Sequence, residues 1–420
     1  MVCLITFAEK INQESFAAEE RIVTNSDVSD DDIPPFTAHD GFGATIDENK
    51  DRRLPLLRTQ RDERTVVMKI PDLKEWPETP RIYSDLEVTV HENAQWAFNL
   101  YRPKSDDLTE MSPSSYLEFR NIGIRPSEGA SGLKWGSREY NAPDRRFIDC
   151  DYTEIPKEHG LYVSNSGDTL LERCTFLRVG SQGAQWAHRP LPYQQYHADN
   201  APYQSPPNHI VRDCHFVDCA FKGDRPSFNL TYFSPGTSAN PGTLLIEDSS
   251  FVCKWPEPRI DNPNSSNPNI RYSSGALVVT PSQGNLPLDP GEGQMMKQVV
   301  LHNCLFDYTS GDRAIAELRS IDEILIEDCC FIARDHRQNG INIDRMSGPV
   351  SNLNGTKSQR LILRNNLAEN AVVRLGLGDG TGSGNFVTIP LHTPGEEVVY
   401  DATTGRELSR RNLDASVDVQ

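Results

Sequence analysis

A short phrase recurs about eight times along this 420-residue chain and constrains its fold more than any other feature. Each copy has two or three aliphatic residues, then Asp or Asn, then Cys, one variable residue and an aromatic ring. The strongest copies are Phe147-Ile148-Asp149-Cys150-Asp151-Tyr152, Leu171-Glu172-Arg173-Cys174-Thr175-Phe176, Ile210-Val211-Arg212-Asp213-Cys214-His215-Phe216, Val300-Leu301-His302-Asn303-Cys304-Leu305-Phe306 and Leu325-Ile326-Glu327-Asp328-Cys329-Cys330-Phe331. Weaker copies begin at Phe119, Ile246 and Leu363. A unit repeated on this scale predicts a solenoid.

The shortest spacings between copies give the size of one repeat. Cys150 and Cys174 are 24 residues apart, and Cys304 and Cys329 are 25 residues apart. That length suits three short strands and three turns, which favours a β-solenoid over a helical repeat. Longer spacings indicate coils that carry inserted loops. We therefore predict an all-β parallel solenoid of about eight to ten coils.

The acidic or amide residue of the phrase is expected where the chain bends sharply between two strands. Asn and Asp tolerate the left-handed backbone that such a bend requires. Stacked from coil to coil, they would form a ladder of side chains about 4.8 Å apart. Arg173 is the exception among the eight bend positions, and the other seven are Asn121, Asp149, Asp213, Asp248, Asn303, Asp328 and Asn365.

These features resemble the right-handed parallel β-helix of the pectin-lyase-like superfamily, whose second turn carries an Asn ladder. The resemblance covers roughly residues 60–375 and is closest in style to tailspike and polysaccharide-lyase-like members. It implies a fold but no activity, because lyases, hydrolases, tailspikes and structural proteins share this architecture. The paired-Asp and Gly-His-Gly motifs of polygalacturonases are missing, and the nearest match is Glu158-His159-Gly160. The clustered-Asp calcium site of pectate lyases is missing as well. No catalytic residue transfers from the superfamily.

The repeat divides the chain into three parts. Residues 1–60 are predicted to be an N-terminal extension that serves as anchor and linker, and residues 61–375 the parallel β-helix. Residues 376–420 are predicted to be a small C-terminal β cap or assembly segment, with a strand over 386–391 and a hairpin over 398–408. A cap is expected because an open coil end exposes a sheet edge.

Composition and cysteine usage argue against several partners. The net charge of −18 opposes broad binding to nucleic acid or to anionic membranes. Nine cysteines, six of them in or beside the phrase, are predicted to form a column of buried thiols that pack as small hydrophobes, without disulfides or a metal. No cofactor is expected.

The N-terminus indicates where the chain is made. Its apolar run at residues 2–8 is too short for a signal peptide, and no run in the chain is long enough to span a bilayer. Synthesis in a cytoplasm is therefore expected, with association to a virion or another assembly as one option.

The strand that follows each phrase is expected to face a groove, because in the resembled superfamily this sheet forms the floor of the substrate groove. Alternation places one set of residues inward: Leu161, Val163, Trp186, Phe228, Leu230, Leu318, Ile341 and Ile343. It leaves an outward set of Tyr162, Gln185, Asn229, Thr231, Glu317, Arg319, Asn342 and Asp344, joined near the strand ends by His159, His188, Arg189 and Tyr232. This mixture suits sugar hydroxyls, and it equally suits an ordinary hydrated sheet face.

Two insertions, 190–208 and 254–273, add the rings of Tyr193, Tyr196 and Trp255. Exposed rings beside a polar sheet can form the walls of a carbohydrate cleft. The alternative is that these loops pack on the solenoid or form a subunit interface.

Glu317 and Asp344 are the candidate catalytic carboxyl groups, since glycoside hydrolysis needs two of them about 5–9.5 Å apart. The alternative for them is a structural one, with Arg319 beside Asp344 as an ion pair and Glu317 beside Asn342. A lyase would instead need a base and a cation, for which His159, His188, Arg189 and Arg319 are candidates.

Three functions stay open at this point. The first is a glycan-binding β-helix of the tailspike, fibre or decoration type, with or without cleavage. The second is a cellular polysaccharide lyase or glycoside hydrolase, and the third is a non-catalytic structural protein whose loops form subunit contacts. A homo-oligomer, a trimer by the resemblance, or a larger assembly through the N-terminal segment is expected.

Overall fold

The computed structural model describes residues 65–69, 81–90, 96–100, 117–126, 135–140, 145–164, 168–187, 208–220, 226–232, 242–253, 275–281, 295–308, 314–334, 340–344, 357–377 and 386–413. Within these ranges every regular element is a β-strand. No apolar helix of bilayer-crossing length occurs among these residues. The predicted N-terminal extension, residues 1–60, lies outside the described ranges.

Three stacks of strands account for this part of the chain. The first stack contains β2 (Arg81–Val90), β4 (Leu117–Pro126), β6 (Arg145–Ile148), β9 (Thr169–Glu172), β12 (Asn208–Arg212), β15 (Thr243–Glu247), β18 (Met296–His302), β21 (Ile321–Glu327), β24 (Arg360–Arg364), β28 (Glu396–Asp401) and β29 (Glu407–Asn412). The second contains β1 (Thr65–Lys69), the second halves of β2 and β4, β7 (Asp151–Thr153), β10 (Thr175–Leu177), β13 (His215–Val217), β16 (Ser250–Cys253), β19 (Leu305–Tyr308), β22 (Cys330–Ala333) and β25 (Leu367–Glu369). The third contains β3 (Trp96–Leu100), β5 (Trp135–Tyr140), β8 (Leu161–Ser164), β11 (Ala184–Ala187), β14 (Phe228–Tyr232), β17 (Leu277–Pro281), β20 (Ala316–Leu318), β23 (Ile341–Ile343), β26 (Val372–Gly376) and β27 (Phe386–Pro390).

Apart from β27, β28 and β29, the strands of each stack pair in parallel with the strands of the neighbouring repeats. Strand β10, for example, lies between β7 and β13, and β11 lies between β8 and β14. This is the mostly parallel, all-β solenoid that the repeat predicts. The handedness and the number of coils along the whole chain stay predictions.

The bend residues of the phrase have the predicted backbone conformation. All eight have φ between 47° and 57°, which is the left-handed region. Their side chains also form part of the predicted ladder, because Asn303 Nδ2 donates to Asp248 Oδ1 at 2.7 Å and Asn365 Nδ2 donates to Asp328 Oδ1 at 2.7 Å. Amide donors thus alternate with carboxylate acceptors along these steps of the ladder.

Arg173, the exception in the ladder, keeps the same pattern with a different donor. Its Nε and Nη2 atoms donate to the two carboxylate oxygens of Asp149 at 2.9 and 3.0 Å. A bidentate, charge-assisted hydrogen bond of this kind is among the stronger side-chain interactions. It offsets the cost, about 1–2 kcal/mol, of a left-handed backbone at a residue other than Gly, Asn or Asp.

The eight cysteines that the structure describes, including those of the phrase, are buried free thiols, as predicted. They also hydrogen-bond to the backbone, which the prediction of simple hydrophobic packing did not include. The N–H of Cys150 donates to Cys174 Sγ, and that of Cys304 donates to Cys329 Sγ, both at 3.4 Å. Ser249, which occupies the cysteine position of its copy, accepts from the N–H of Cys214 at 3.0 Å in the same way.

The aromatic residues of the phrase form a continuous stack inside the solenoid. Adjacent ring centroids lie 4.6–4.9 Å apart with interplanar angles of 1–7°. The six stacked rings belong to Tyr152, Phe176, Phe216, Phe251, Phe306 and Phe331, all fully buried. Their spacing is the distance between neighbouring strands, so the stack fixes the coils in register with one another.

The C-terminal strands pair in the antiparallel sense. Strand β27 adds to β26, β28 adds to β24, and β29 pairs with β28. The hairpin predicted over 398–408 is therefore present, and its turn includes Gly405, with φ 72°. Its role as a cap stays a prediction.

Candidate functional site

The third stack has the inward and outward sides that alternation predicts. All eight residues expected inward have 0% exposure. The opposite side carries a row of direct register partners, which we call the outward row: Arg138, Tyr162, Gln185, Asn229, Val278, Glu317, Asn342 and Arg374. This row is the candidate site.

Small side chains lie beside the outward row. Ala187, Thr231 and Thr280 are register partners two positions further along their strands. Gln185 and Ala187 are nevertheless buried, with 3% and 0% exposure, and Asn229 is 8% exposed.

Aromatic rings and an amide meet around Tyr162 and Gln185 of the outward row. The indoles of Trp96 and Trp135 stack with centroids 6.0 Å apart and an interplanar angle of 16°. Trp135 Nε1 donates to His159 Nδ1 at 3.2 Å, and His159 Nε2 lies 2.5 Å from Gln185 Oε1. The imidazole also meets the Tyr162 ring edge-on at 5.4 Å. We call these five residues the aromatic–amide cluster.

The contacts of His159 assign its proton. An indole N–H can only donate, so the Nδ1 atom of His159 is the acceptor and the ring proton sits on Nε2. That N–H then donates to Gln185 Oε1. The carboxylate of Glu158 lies 3.6 Å from Nδ1, beyond the closer indole contact. Gln185 is therefore oriented with its carbonyl oxygen toward His159.

Asn229 is the next residue of the row, and its side chain has a hydrogen-bond acceptor without a donor. Its side chain is only 8% exposed, and its Oδ1 atom is buried and accepts no hydrogen bond in the structure. Leaving a buried polar atom unsatisfied costs about 1–3 kcal/mol. Such an atom is a good place for a ligand donor.

Glu317 lies in the outward row, as predicted, beside Asn342. Its Oε2 atom accepts from Arg319 Nη2 at 2.6 Å, so the carboxylate is neutralised by a residue of the same segment. Both side chains are partly exposed.

The predicted ion pair between Arg319 and Asp344 is wrong. Strand β23 ends at Ile343, and Asp344 has left-handed backbone with φ 49°. Its carboxylate oxygens accept from the backbone N–H groups of Ser320 at 2.7 Å and Ser358 at 2.6 Å. Burial raises the pKa of Asp344, although these hydrogen bonds oppose the shift. The geometry gives Asp344 a structural role at a bend.

The expectation that Tyr232 faces outward is also wrong. Its side chain is 3% exposed, and its hydroxyl donates to the carbonyl oxygens of Arg319 at 2.9 Å and Ser320 at 2.6 Å. The physical reason is alternation, since Tyr232 lies on the same side of its strand as Phe228 and Leu230. Burial raises the pKa of the Tyr232 phenol well above its usual value. Tyr232 thus ties two coils together and is not available to a ligand.

Five predicted site residues lie outside the described residues: His188, Arg189, Tyr193, Tyr196 and Trp255. In contrast, the structure adds Trp96 and Trp135, which the sequence interpretation missed. A usable signal was present, because Trp135 and His159 both come directly before a glycine that enters a strand of the third stack.

A second polar contact lies on the second stack. His215 Nδ1 is 2.8 Å from Ser250 Oγ, and Asp213 Oδ1 is 3.8 Å from His215 Nε2. Ser250 is 2% exposed and His215 is 4% exposed, so the hydroxyl is shielded from a substrate. Among the described residues, no three His, Cys, Asp or Glu side chains come together as a metal site.

Comparison with known proteins adds little. No family model matches the chain, and no curated protein matches it. A search of solved structures finds the crystal structure of PfbA, a surface adhesin of Streptococcus pneumoniae, with 10% sequence identity and a TM-score of 0.33, over 82% of this chain and 88% of that chain. A similarity of this size carries no argument about function.

Proposed function

We propose that the outward row of the third stack binds a glycan chain. The observation that carries this proposal is the aromatic–amide cluster, in which stacked indoles adjoin an imidazole, a phenol and a fixed amide. Sugar rings pack their C–H faces on aromatic rings while their hydroxyls hydrogen-bond to amides. The solenoid suits a polymer because it repeats such positions at the strand spacing along one line.

The geometry supports glycan binding in which the predicted carboxyl pair, Glu317 and Asp344, does not cleave the glycan. Asp344 is held by two backbone N–H groups, and Glu317 is neutralised by Arg319. A glycosidase needs one free carboxylate and one carboxylic acid on either side of the scissile bond. Cleavage by other residues, a role as a virion protein and a trimeric assembly stay predictions.

An array of neutral and acidic oligosaccharides tests the proposal with the full-length chain. The Trp135→Ala variant should weaken binding about tenfold, since it removes a stacking platform worth roughly 0.5–1.5 kcal/mol and the donor that orients His159. Trp135→Phe keeps a ring and should lose only about threefold.

Gln298→Ala is the matched control, because Gln298 lies on the first stack and hydrogen-bonds to Glu323 at 2.8 Å. Its affinity should equal that of the unmodified chain. Binding that is equal in the Ala variants of Trp135 and Gln298 would contradict the proposal. No binding to any glycan would favour the structural alternative, and release of new reducing ends from a bound glycan would favour the enzymatic one.

A further inference from the structure

We infer that the middle of the outward row takes an uncharged sugar, held by one donor from Gln185 and one acceptor from Asn229. This inference rests on the proposed glycan-binding function and names the class of sugar. It follows from the hydrogen-bond partners of the two amides and from the charges along the row.

The two amides present opposite hydrogen-bonding groups. Gln185 Oε1 is occupied by His159, so its Nε2 group is the one left to donate. Asn229 Oδ1 is buried without a hydrogen bond and is left to accept. The residues are direct register partners, so the donor and the acceptor belong to strands about 4.8 Å apart.

A sugar matches this pair because its neighbouring groups can both accept and donate. Two adjacent hydroxyls, or an acetamido group with its N–H and C=O, satisfy one donor and one acceptor together. A carboxylate or sulfate only accepts hydrogen bonds, so it would leave Asn229 Oδ1 without a donor. It would also place a negative charge next to that oxygen.

The residue types of this part of the row are uncharged. Tyr162, Gln185, Asn229 and Val278 follow one another, with Ala187, Thr231 and Thr280 beside them. Beyond Val278 the row continues to Glu317, whose charge is balanced by Arg319 at 2.6 Å. His159 has its one ring proton on Nε2 and so carries no charge in this arrangement. Binding an anion in a buried site requires a compensating charge, which these residues do not provide.

Arg138 occupies the next position of the row beyond Tyr162 and is the competing explanation. If it supplied an anion site, acidic glycans would bind and its replacement would abolish binding. The test therefore includes Arg138→Gln, which should keep the preference for the neutral glycan over its acidic form; a preference for the acidic form that disappears in this variant would assign an anion site to Arg138 and overturn the inference.

The experiment uses a neutral glycan that the array shows to bind, together with the same glycan after oxidation of its 6-hydroxymethyl groups to carboxylates. Oxidation should weaken binding at least tenfold, and raising the salt concentration should leave the affinity for the neutral form nearly unchanged. Equal or tighter binding of the oxidised form, or array hits confined to uronate, sialylated or sulfated glycans, would overturn the inference while leaving glycan binding intact. No hits at all would overturn the proposed function and this inference with it.

Two near-isosteric variants test the donor and acceptor roles. Gln185→Glu keeps an oxygen for His159 but removes the donor, and should weaken binding of the neutral glycan at least about tenfold. Asn229→Asp keeps the acceptor and should stay within about threefold, whereas Asn229→Leu removes it and should lose about tenfold. Thermal melting of each variant confirms folding. The reverse order, with Asn229→Asp losing binding and Gln185→Glu keeping it, would refute the assigned roles.

Discussion

Replacement of Asn303 separates the two contributions that a bend residue makes to stability. Its backbone is left-handed, with φ 49°, and its Nδ2 atom donates to the carboxylate of Asp248 at 2.7 Å. A hydrogen bond to a charged group contributes about 1.5–3 kcal/mol, and a left-handed conformation costs an ordinary L-residue about 1–2 kcal/mol. Asn303→Ala loses the first and incurs the second, so we expect a loss of about 2.5–5 kcal/mol.

Asn303→Gly loses the same hydrogen bond but avoids the backbone strain. Glycine also increases the freedom of the unfolded chain, which reduces the difference between the two variants. We therefore expect the Gly variant to be more stable than the Ala variant by about 1 kcal/mol. The assay is urea unfolding followed by tryptophan fluorescence. Midpoints are compared at equal slope, because solenoids often depart from two-state unfolding.

Asn342 provides the matched control because it lies inside strand β23 and is not among the residues with positive φ. At a strand position glycine is the weaker residue by about 0.5–1 kcal/mol, so the order must reverse there, with Asn342→Ala more stable than Asn342→Gly. If Ala were as stable as Gly at position 303, the explanation of the ladder through backbone conformation would be wrong.

Further predictions concern the core and the response to pH. Phe216→Leu should lower the free energy of unfolding in urea by about 1–3 kcal/mol, since it removes stacking on Phe176 and Phe251. Phe216→Ala should lower it by about 3–5 kcal/mol. Equal losses in the two variants would argue against the stack. Burial raises the pKa of Asp328, so its ionised form opposes folding. Asp328→Asn should therefore raise the melting temperature at neutral pH. This gain should disappear as the pH falls below the Asp328 pKa. Burial alone would raise the pKa of Glu397, but Arg411 and Arg364 outweigh it and lower the pKa. Glu397→Gln should therefore lower the melting temperature at neutral pH, and this effect should disappear as the pH falls through the Glu397 pKa. Melting curves in which the Asp328→Asn and Glu397→Gln variants shift in the same direction would contradict the assigned causes.

Much of the fold could be read from the chain because its signals are local. The Asn or Asp of each phrase marks a bend through the backbone it tolerates, and strict alternation within strands such as 161–164 places Leu161 and Val163 inside. The error at Tyr232 came from departing from this rule, since its position two residues after Leu230 already places it inward. Asp344 was assigned to a strand because nothing local marks the end of a strand only three residues long.

The candidate site was less predictable because it depends on alignment between coils. Trp96, Trp135 and His159 are separated by 39 and 24 residues, and the intervening segments differ in length, so the sequence does not show that their side chains meet. The same holds for Arg173 and Asp149, whose ion pair explains the exception in the ladder.

The amino-acid sequence by itself determined the repeat, the bends and the buried side of each strand, because these follow from backbone tolerance and a period of two. Only the tertiary structure decided which residues of different coils become neighbours. It showed that the carbonyl oxygen of Gln185 is taken by His159 while the oxygen of Asn229 is left without a donor. Hydrogen bonds act over about 3 Å, so such partnerships depend on the register of neighbouring strands and leave no trace in any single segment of the chain.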